Sequence, residues 1–266
     1  MMAQALGRLA RAVPPAAPRP VSRGAPPIGS LDGDGATPFP WKAVSGYPRE
    51  RMLELKCPSC GAPVSLAASA SVSAVCSYCG TTVARADEAG AEALKNLGKI
   101  SAVVQDSSPL RIGASGKAFG KGFRIVGRLQ LEHEAGYWNE WFLLYDDNET
   151  GWLGEALGQY FVTTQALDTK TLPRFEALRM GQVVPLPGAK TFRVMEKKRA
   201  VATGGEGELP FVVGKGYELP YADLRNEASG FATIDYSETP PLVFVGQCVD
   251  WDALELQDYR AFDGWN

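Results

Sequence analysis

Short apolar runs separated by polar turn residues predict strands throughout the second part of the chain. Phe123–Val126 and Trp141–Tyr145 are hydrophobic runs of buried-strand length, and Tyr160–Thr164 is rich in aromatic and β-branched residues. Between the last two runs, Asp146–Gly151 has the Asp, Asn and Gly content of a tight turn. The pattern predicts an all-β domain over residues 108–256.

This predicted domain contains an internal correspondence. Arg111–Gly113 matches Arg179–Gly181, and Phe123–Ile125 follows the first glycine at nearly the distance at which Phe192–Val194 follows the second. A third match sets Phe142, Asp146, Glu149 and Thr150 against Phe231, Asp235, Glu238 and Thr239. Three matches in one order predict a duplication, with copies at about 108–166 and 176–250.

The spacing of the third match predicts an insertion of about 20 residues in the second copy, within Gly205–Asn226. Each copy alone has too few strands to bury both of its faces. We therefore expect the two copies to close on each other as one β-sandwich or barrel-like unit. The expected fold class is mostly β.

Four of the five cysteines form two Cys-x-x-Cys pairs, and they predict a structural Zn²⁺ site: Cys57, Cys60, Cys76 and Cys79. A glycine follows each pair and allows the positive φ that such a turn favours. Four thiolates leave no open coordination position, which argues against a catalytic ion. A redox dithiol and a disulfide framework are the rival interpretations. The predicted zinc ribbon spans residues 48–85.

The remaining segments are expected to lack a core of their own. Residues 1–47 are rich in Pro and Ala and are predicted to be a disordered tail, with Met52 as an alternative start of the native protein. Residues 86–107 are predicted to be a linker or short helix, because Ala91, Leu94 and Leu97 recur at helical spacing. Residues 257–266 are predicted to be a C-terminal tail.

Composition narrows the function classes. With 21% charged residues, a net charge of −3 and a pI near 5.4, the chain has no general attraction to nucleic acid or anionic membranes. The sequence contains no run of about 18 apolar residues, so it predicts no membrane span. Because it also shows no secretory signal, we expect a cytoplasmic protein.

Several motifs of the second part resemble a known bacterial family. They are Gly113–Gly116, Phe123–Arg128, Trp138–Trp141, Gly151–Ala156, Gly207–Pro210 and Phe231–Tyr236. Together they are similar to the domain of unknown function 4178, whose members often follow a zinc ribbon. The resemblance implies no established activity. It implies an association with bacterial gene clusters that encode membrane-stress proteins and polyamine-related enzymes.

The candidate ligand or partner residues are the large aromatic residues and acids near the predicted turns: Trp138, Glu140, Trp141, Asp146, Trp152, Glu155 and Asp235. Alternation puts Trp141 on one face of its strand and Phe142 on the other, so we expect both faces to be covered. Core packing is the default role for the tryptophans, and an aromatic partner groove is the alternative. Structural turns are the default for the aspartates.

Three functions compete at this stage. The first is a non-catalytic, zinc-binding adaptor whose β domain docks a protein partner, with peripheral membrane association possible through that partner. The second is a β domain that binds or acts on a small cationic ligand such as a polyamine. The third is a nucleic-acid-binding ribbon, which its flanking charges support poorly, since the basic residues are offset by acids: Arg49, Arg51, Lys56 and Arg85 against Glu50 and Glu54.

Overall fold

The computed structural model describes residues 53–88, 91–99, 103–166, 172–186, 190–213 and 216–262, and the predicted tail at 1–47 and the alternative start at Met52 lie outside them. These residues form fifteen strands and no α-helix. The strands are β1 (Leu53–Lys56), β2 (Pro63–Leu66), β3 (Ser73–Val75), β4 (Thr82–Glu88), β5 (Ala91–Asn96), β6 (Ser115–Ala118), β7 (Lys121–His133), β8 (Gly136–Tyr145), β9 (Thr150–Ala156), β10 (Gln159–Ala166), β11 (Val183–Leu186), β12 (Lys190–Leu209), β13 (Tyr217–Arg225), β14 (Gly230–Asp235) and β15 (Leu242–Val249). Short 3₁₀ turns occur at Phe175–Ala177 and Asp252–Leu254.

Eight of these strands form a closed antiparallel sheet in the order β7, β8, β9, β10, β15, β14, β13 and β12. The ring closes because β12 pairs with β13 through its first part and with β7 from Val201 onward. The mostly β prediction and its barrel-like alternative are therefore confirmed. Closure also leaves neither β7 nor β12 as an open edge along this pairing.

Alternating side chains fill the interior of the closed sheet. Each of the eight strands contributes to one buried cluster, which includes Leu129, Phe142, Trp152, Phe161, Ala200, Tyr221, Phe231 and Phe244. Phe161 and Phe231 have ring centroids 4.4 Å apart, and Phe142 and Trp152 are 5.0 Å apart. Aromatic packing of this kind stabilises the fold beyond simple area burial, by roughly 0.5–1.5 kcal/mol per pair.

Two further clusters cover the outer face of the closed sheet, one on each half. The first contains Leu110, Phe123, Ile125, Trp141, Leu143, Leu153, Val162 and Leu254. The second contains Leu178, Val184, Phe192, Val194, Leu224, Ile234 and Val243. In each half, residues that precede the first long strand fold over the outer face, so hydrophobic positions on both sides of the sheet are buried.

The two halves share a hydrogen-bond pattern where each begins. The backbone N–H of Gly113 donates to the carbonyl of Ile125 at 2.9 Å, and that of Gly181 donates to Val194 at 2.8 Å. A register shift follows Ile125 in β7 and Val194 in β12. These two turn-and-strand units are equivalent in geometry, while their origin by duplication stays a prediction.

The third predicted correspondence is wrong. Phe142 lies on β8, the second long strand of the first half, whereas Phe231 lies on β14, the third long strand of the second half. The structural counterpart of β8 is β13, because β13 pairs with β12 as β8 pairs with β7. A similar spacing of Phe, Asp, Glu and Thr therefore arises at unrelated places in the two halves.

β12 continues seven residues past Ala202, the last residue it pairs with β13, and this extension holds the N-terminal ribbon. Glu208 and Leu209 pair with β3, and the carbonyl of Leu209 accepts a hydrogen bond from Val72 at 2.9 Å. The extension leaves room for the backbone of β7 only because Gly127 faces Gly207: a Cβ atom on Gly127 would overlap the carbonyl of Glu208. The β3–β5 strands and the closed sheet thus form one continuous hydrogen-bonded sheet, while β1 and β2 form a separate two-stranded sheet.

The Glu208 side chain fixes this attachment. It is 8% exposed, and its carboxylate accepts hydrogen bonds from the backbone of Ala67 at 2.9 Å and Ala68 at 3.1 Å. The hydroxyl of Ser71 donates to the same carboxylate at 2.8 Å. Charge-assisted bonds to a buried carboxylate are stronger than neutral ones. Ala68 then packs into the interior cluster of the closed sheet.

The predicted linker or short helix at 86–107 is wrong for Ala86–Glu88 and Ala91–Asn96, which are strands. β4 extends to Glu88, and β5 returns beside it and pairs Leu94 with Arg85. Leu94 packs against the ribbon core, so tertiary contact overrides the helical spacing. The predicted tail after residue 256 is also packed as far as it is described, since the N–H of Arg260 donates to the carbonyl of Pro109 at 2.7 Å.

We expect Glu208→Ala to lower the free energy of unfolding by about 2–3 kcal/mol, because it leaves buried donors without their acceptor. The control is Glu206→Ala, since Glu206 contacts Arg128 only at 3.5 Å and its side chain is 37% exposed. Urea unfolding followed by tryptophan fluorescence measures both variants. Equal midpoints for the two variants would contradict the clamping role of Glu208.

Candidate metal centre

Two matching turns bring the four cysteines of the Cys-x-x-Cys pairs together. In the first turn, Gly61 N–H donates to the carbonyl of Cys57 at 2.8 Å, and in the second, Gly80 N–H donates to Cys76 at 2.9 Å. Both glycines have positive φ, 76° and 69°, as the sequence predicts. Each turn lies at the tip of a strand pair, β1–β2 or β3–β4.

The sulfur atoms are spaced for a tetrahedral ion. The Sγ atoms of Cys57, Cys60, Cys76 and Cys79 all lie within 4.8 Å of one another. Two of the separations, Cys57 to Cys79 and Cys60 to Cys76, are 3.8 Å. A Zn–S bond of about 2.3 Å gives sulfur separations of about 3.8 Å in a regular tetrahedron. All four are free cysteines, so the arrangement is compatible with a metal site.

The electrostatics of the site are those of thiols held close together. Hydrogen bonds from the hydroxyl and backbone of Thr81 lower the pKa of Cys79 to about 6. The backbone hydrogen bond from Ala62 acts to lower the pKa of Cys60, but hydrogen bonding with the neighbouring thiols and burial raise it to about 12. A bound cation would favour the thiolate form of all four.

The three candidate tryptophans are buried, so they do not form the alternative partner groove. Trp138 is 5% exposed, Trp141 is 0% and Trp152 is 3%. Trp138 and Trp152 belong to the interior of the closed sheet, and Trp141 belongs to the outer cluster of the first half. The predicted alternation along β8 is confirmed.

Glu140 and Glu155 lie on opposite faces of the sheet, and each accepts a hydrogen bond from one of these tryptophans. Trp138 donates its indole N–H to Glu140 at 3.1 Å, and Trp141 donates to Glu155 at the same distance. The hydroxyl of Ser108 also donates to Glu155 at 2.6 Å. The structure therefore separates the two carboxylates that the sequence sets beside one aromatic group.

A buried polar network around Arg128 is the main feature that the sequence analysis missed. Arg128 has no exposed surface and forms an ion pair with Asp106 at 2.5 Å. It also donates to the side-chain carbonyl of Asn139 at 2.8 and 3.0 Å, and its guanidinium lies 5.0 Å from the Trp141 ring. The network binds the chain around residue 106 to the sheet. The only sign of this network in the sequence is the polar residue Asn139 between Trp138 and Trp141. That position alone does not identify Arg128 as the partner of Asn139.

The two candidate aspartates lie in different environments, one exposed and one buried. Asp146 is exposed in the turn after β8, where its N–H donates to the carbonyl of Gly122 at 3.1 Å. Asp235 is 1% exposed at the end of β14 and accepts a hydrogen bond from the backbone of Ser237 at 2.8 Å. They do not form a shared acidic site built from two copies.

The interior of the closed sheet does collect carboxylates from different strands. The hydroxyl of Tyr221 donates to Glu196 at 3.2 Å. Burial, followed by the charges of Asp223, Glu196 and Glu140, raises the pKa of Tyr221 above its ordinary value. The negative charges of three acids therefore help to keep the buried Tyr221 hydroxyl protonated. Glu140 is the only one of them that the sequence analysis singled out.

Within the described residues, no helix has the length and apolar character needed to cross a membrane.

Comparison with known proteins identifies one family. Neither the curated proteins nor the solved structures contain a match to the chain. The family described as "Domain of unknown function (DUF4178)" matches residues 111–250, which include all eight strands of the closed sheet. Because this match spans more than half of the 266 residues, the chain belongs to the DUF4178 family.

Proposed function

We propose that the protein is a non-catalytic adaptor of the bacterial cytoplasm, in which a structural zinc ion stabilises a ribbon that is fixed to a partner-docking β domain. The observation that carries the proposal is the tetrahedral spacing of four cysteine sulfurs in a ribbon joined to the closed sheet by β12. Four thiolates would complete the coordination of the ion and leave no position for a substrate.

Zinc is the proposed ion because the donors are four cysteine sulfurs and because the ribbon around them has only a small hydrophobic core. Soft thiolates in tetrahedral geometry select zinc or iron–sulfur chemistry over hard cations such as Mg²⁺. The ribbon core beside the sulfurs is small: Cys57, Val64, Leu66, Ala74, Cys76 and Val83 are its buried members. Structural zinc adds about 10–16 kcal/mol of apparent binding energy in small fingers, which would compensate for so small a core.

The adaptor role is supported by the way in which the ribbon is attached. Because Glu208 and the β3–β12 pairing fix the ribbon to the closed sheet, a partner would meet both as one rigid surface. Tyr78, within the second cysteine turn, is 74% exposed on that surface. The family's association with membrane-stress and polyamine-related gene clusters suggests where the partner acts. Binding of nucleic acid by the ribbon stays an untested prediction.

A second candidate function is the binding of a small organic cation, such as a polyamine. It is favoured by the carboxylates that point into the closed sheet, Glu140, Glu196 and Asp223, around Tyr221. Calorimetry with spermidine tests it: saturable heat that is lost in Asp223→Asn would support the second candidate. Absence of heat with the folded, metal-loaded protein would remove it.

We expect protein purified without chelators to carry about one zinc ion per chain, measured by elemental mass spectrometry. Cys76→Ser should abolish stoichiometric zinc, because Cys76 is 1% exposed and belongs to the sulfur cluster. Cys248→Ser is the matched control and should keep the ion, since Cys248 packs against the interior of the closed sheet. Metal-free wild-type protein would contradict the zinc assignment.

Zinc affinity should fall as the pH is lowered, because protons compete with the ion for the thiolates. Release should therefore increase from pH 7 towards pH 5, and a chromogenic zinc indicator can follow it. Trp138, Trp141 and Trp152 belong to the closed sheet, so their contribution to the fluorescence should change little when the ion leaves. Release that is independent of pH would argue against thiolate coordination.

Affinity purification of the tagged, full-length chain from its native host tests the adaptor role. We expect a stoichiometric protein partner with the wild type and its loss or reduction with Cys76→Ser, in which the ribbon surface is no longer held. The Cys248→Ser protein again serves as the control. Recovery of the chain alone under mild, low-salt conditions would contradict the adaptor proposal.

A further inference from the structure

The two halves of the β domain have equivalent edge strands, β6 and β11. Within the described residues, another segment of the chain covers β6 but not β11. β6 pairs with the start of β7, and β11 pairs with the start of β12, in the same register relative to the equivalent turns at Gly113 and Gly181. Ser115 faces Arg124 in the first half, and Val183 faces Arg193 in the second. Val183 is therefore the structural counterpart of Ser115.

In the first half, the chain covers its own edge. Ser115 and Gln257 exchange two backbone hydrogen bonds, of 3.2 and 2.8 Å, so the groups of Ser115 that point away from β7 are paired. The covering segment also forms an ion pair between Glu255 and Lys117 at 2.6 Å, and the carbonyl of Asp258 accepts from Arg111. This segment, Leu254–Asp258, begins at the end of a 3₁₀ turn and contains two apolar residues, Leu254 and Leu256, and two acids, Glu255 and Asp258.

In the second half, the corresponding edge has no such cover in the part of the chain that the structure describes. There β12 is the only strand that pairs with β11. Because Val183 occupies the place of Ser115, its N–H and carbonyl point away from β12 in the same way. Its side chain is 50% exposed.

The surroundings of this edge are apolar and basic. Val183 borders an open groove of about 740 Å³ that also includes Met195, Arg193 and Arg225, with Glu227 as its one acidic member. Met195 is 52% exposed. Such a surface complements a segment that presents both apolar and acidic side chains, which is the composition that covers β6.

We propose that the β11 edge docks a short, extended, acidic and apolar segment of another protein, which pairs with Val183 as Gln257 pairs with Ser115. The proposal rests on the adaptor function and assigns its partner-binding surface. Strand addition of this kind takes affinity from main-chain hydrogen bonds and specificity from pockets for alternate side chains.

The local sequence limits how long the docked segment can be. Pro185 occupies the next outward-pointing position of β11 and has no N–H to donate, so it blunts the edge. Pairing is thereby confined to the two bonds at Val183, the same extent as the Ser115–Gln257 bridge. In the first half, Gly116 has no side chain, and Leu254 lies close over it. Val184 is the counterpart of Gly116 in the second half, and its buried side chain fills the corresponding space. A docked segment would therefore contact the edge and the basic groove rather than the outer core.

The probe is a fluorescein-labelled synthetic peptide with the chain's own sequence from Asp252 to Tyr259, titrated with zinc-loaded protein and followed by anisotropy. We expect saturable binding that weakens at least tenfold in Val183→Asp and in Val183→Pro. Tyr137→Asp is the matched control, because Tyr137 is 49% exposed on a different strand, and it should bind as the wild type does.

Two altered peptides test the proposed chemistry. N-methylation at the position of Gln257 removes the bridging donor and should abolish binding. Replacement of the three acids by their amides should weaken binding severalfold and reduce its dependence on salt. Binding that is equal in wild type and both Val183 variants would overturn the proposal, as would dimerisation of the chain that depends on Val183 in sedimentation experiments.

The same variants separate this proposal from the adaptor function. If a native partner co-purifies equally with wild type and Val183→Asp, the adaptor function stands and the β11 edge is the wrong surface. If the partner is lost only in Val183→Asp, both are supported. If no partner is recovered but the peptide binds in a Val183-dependent manner, the edge proposal is supported and the adaptor function fails.

Discussion

One long strand holds the molecule together. β12 pairs with β11 near its start, with β13 and β7 along its middle and with β3 at its end. It therefore closes the eight-stranded sheet and also carries the ribbon. This is possible only where the backbones of β7 and β12 approach closely, and Gly127 and Gly207 face each other at that point. Without those two glycines, Glu208 would not reach the segment between the cysteine pairs.

The buried polar groups follow from the same architecture. A closed sheet with cores on both faces offers few exposed positions, so charged side chains on its strands must find partners inside the protein. Arg128 pairs with Asp106 and Asn139 on the outer face, and Glu140 accepts from Trp138 on the inner face. Breaking a buried pair is costly because the remaining charge stays desolvated. The tryptophans and glutamates that stand out in the sequence are thus explained by packing.

The two ends of the sheet system suggest how this scaffold is used. The ribbon adds a small sulfur-rich centre at one end of β12, while the start of β12 supports an edge strand bordered by Met195 and Arg193. The first half covers its equivalent edge with Gln257. Within the described residues one edge is covered and its counterpart is open beside a basic groove, and our proposal that the protein binds a partner rests on this difference.

The sequence by itself determined the features that depend on local chemistry. Two Cys-x-x-Cys pairs followed by Gly61 and Gly80 specify the two turns, because sulfur donors and positive φ are local requirements. Alternating and continuous apolar runs specified a mostly β fold, and the periodicity of β8 gave the faces of Trp141 and Phe142 correctly.

Only the tertiary structure decided which strands are neighbours and what pairs across them. The match between Phe142 and Phe231 failed because spacing does not report which strand of a half a residue belongs to. The helical spacing around Leu94 failed because contact with the ribbon core outweighs a weak local propensity. Arg128 finds Asp106, and Glu208 finds Ser71, across long stretches of chain. Such pairings depend on how the sheet closes, which is a property of the whole chain rather than of any segment.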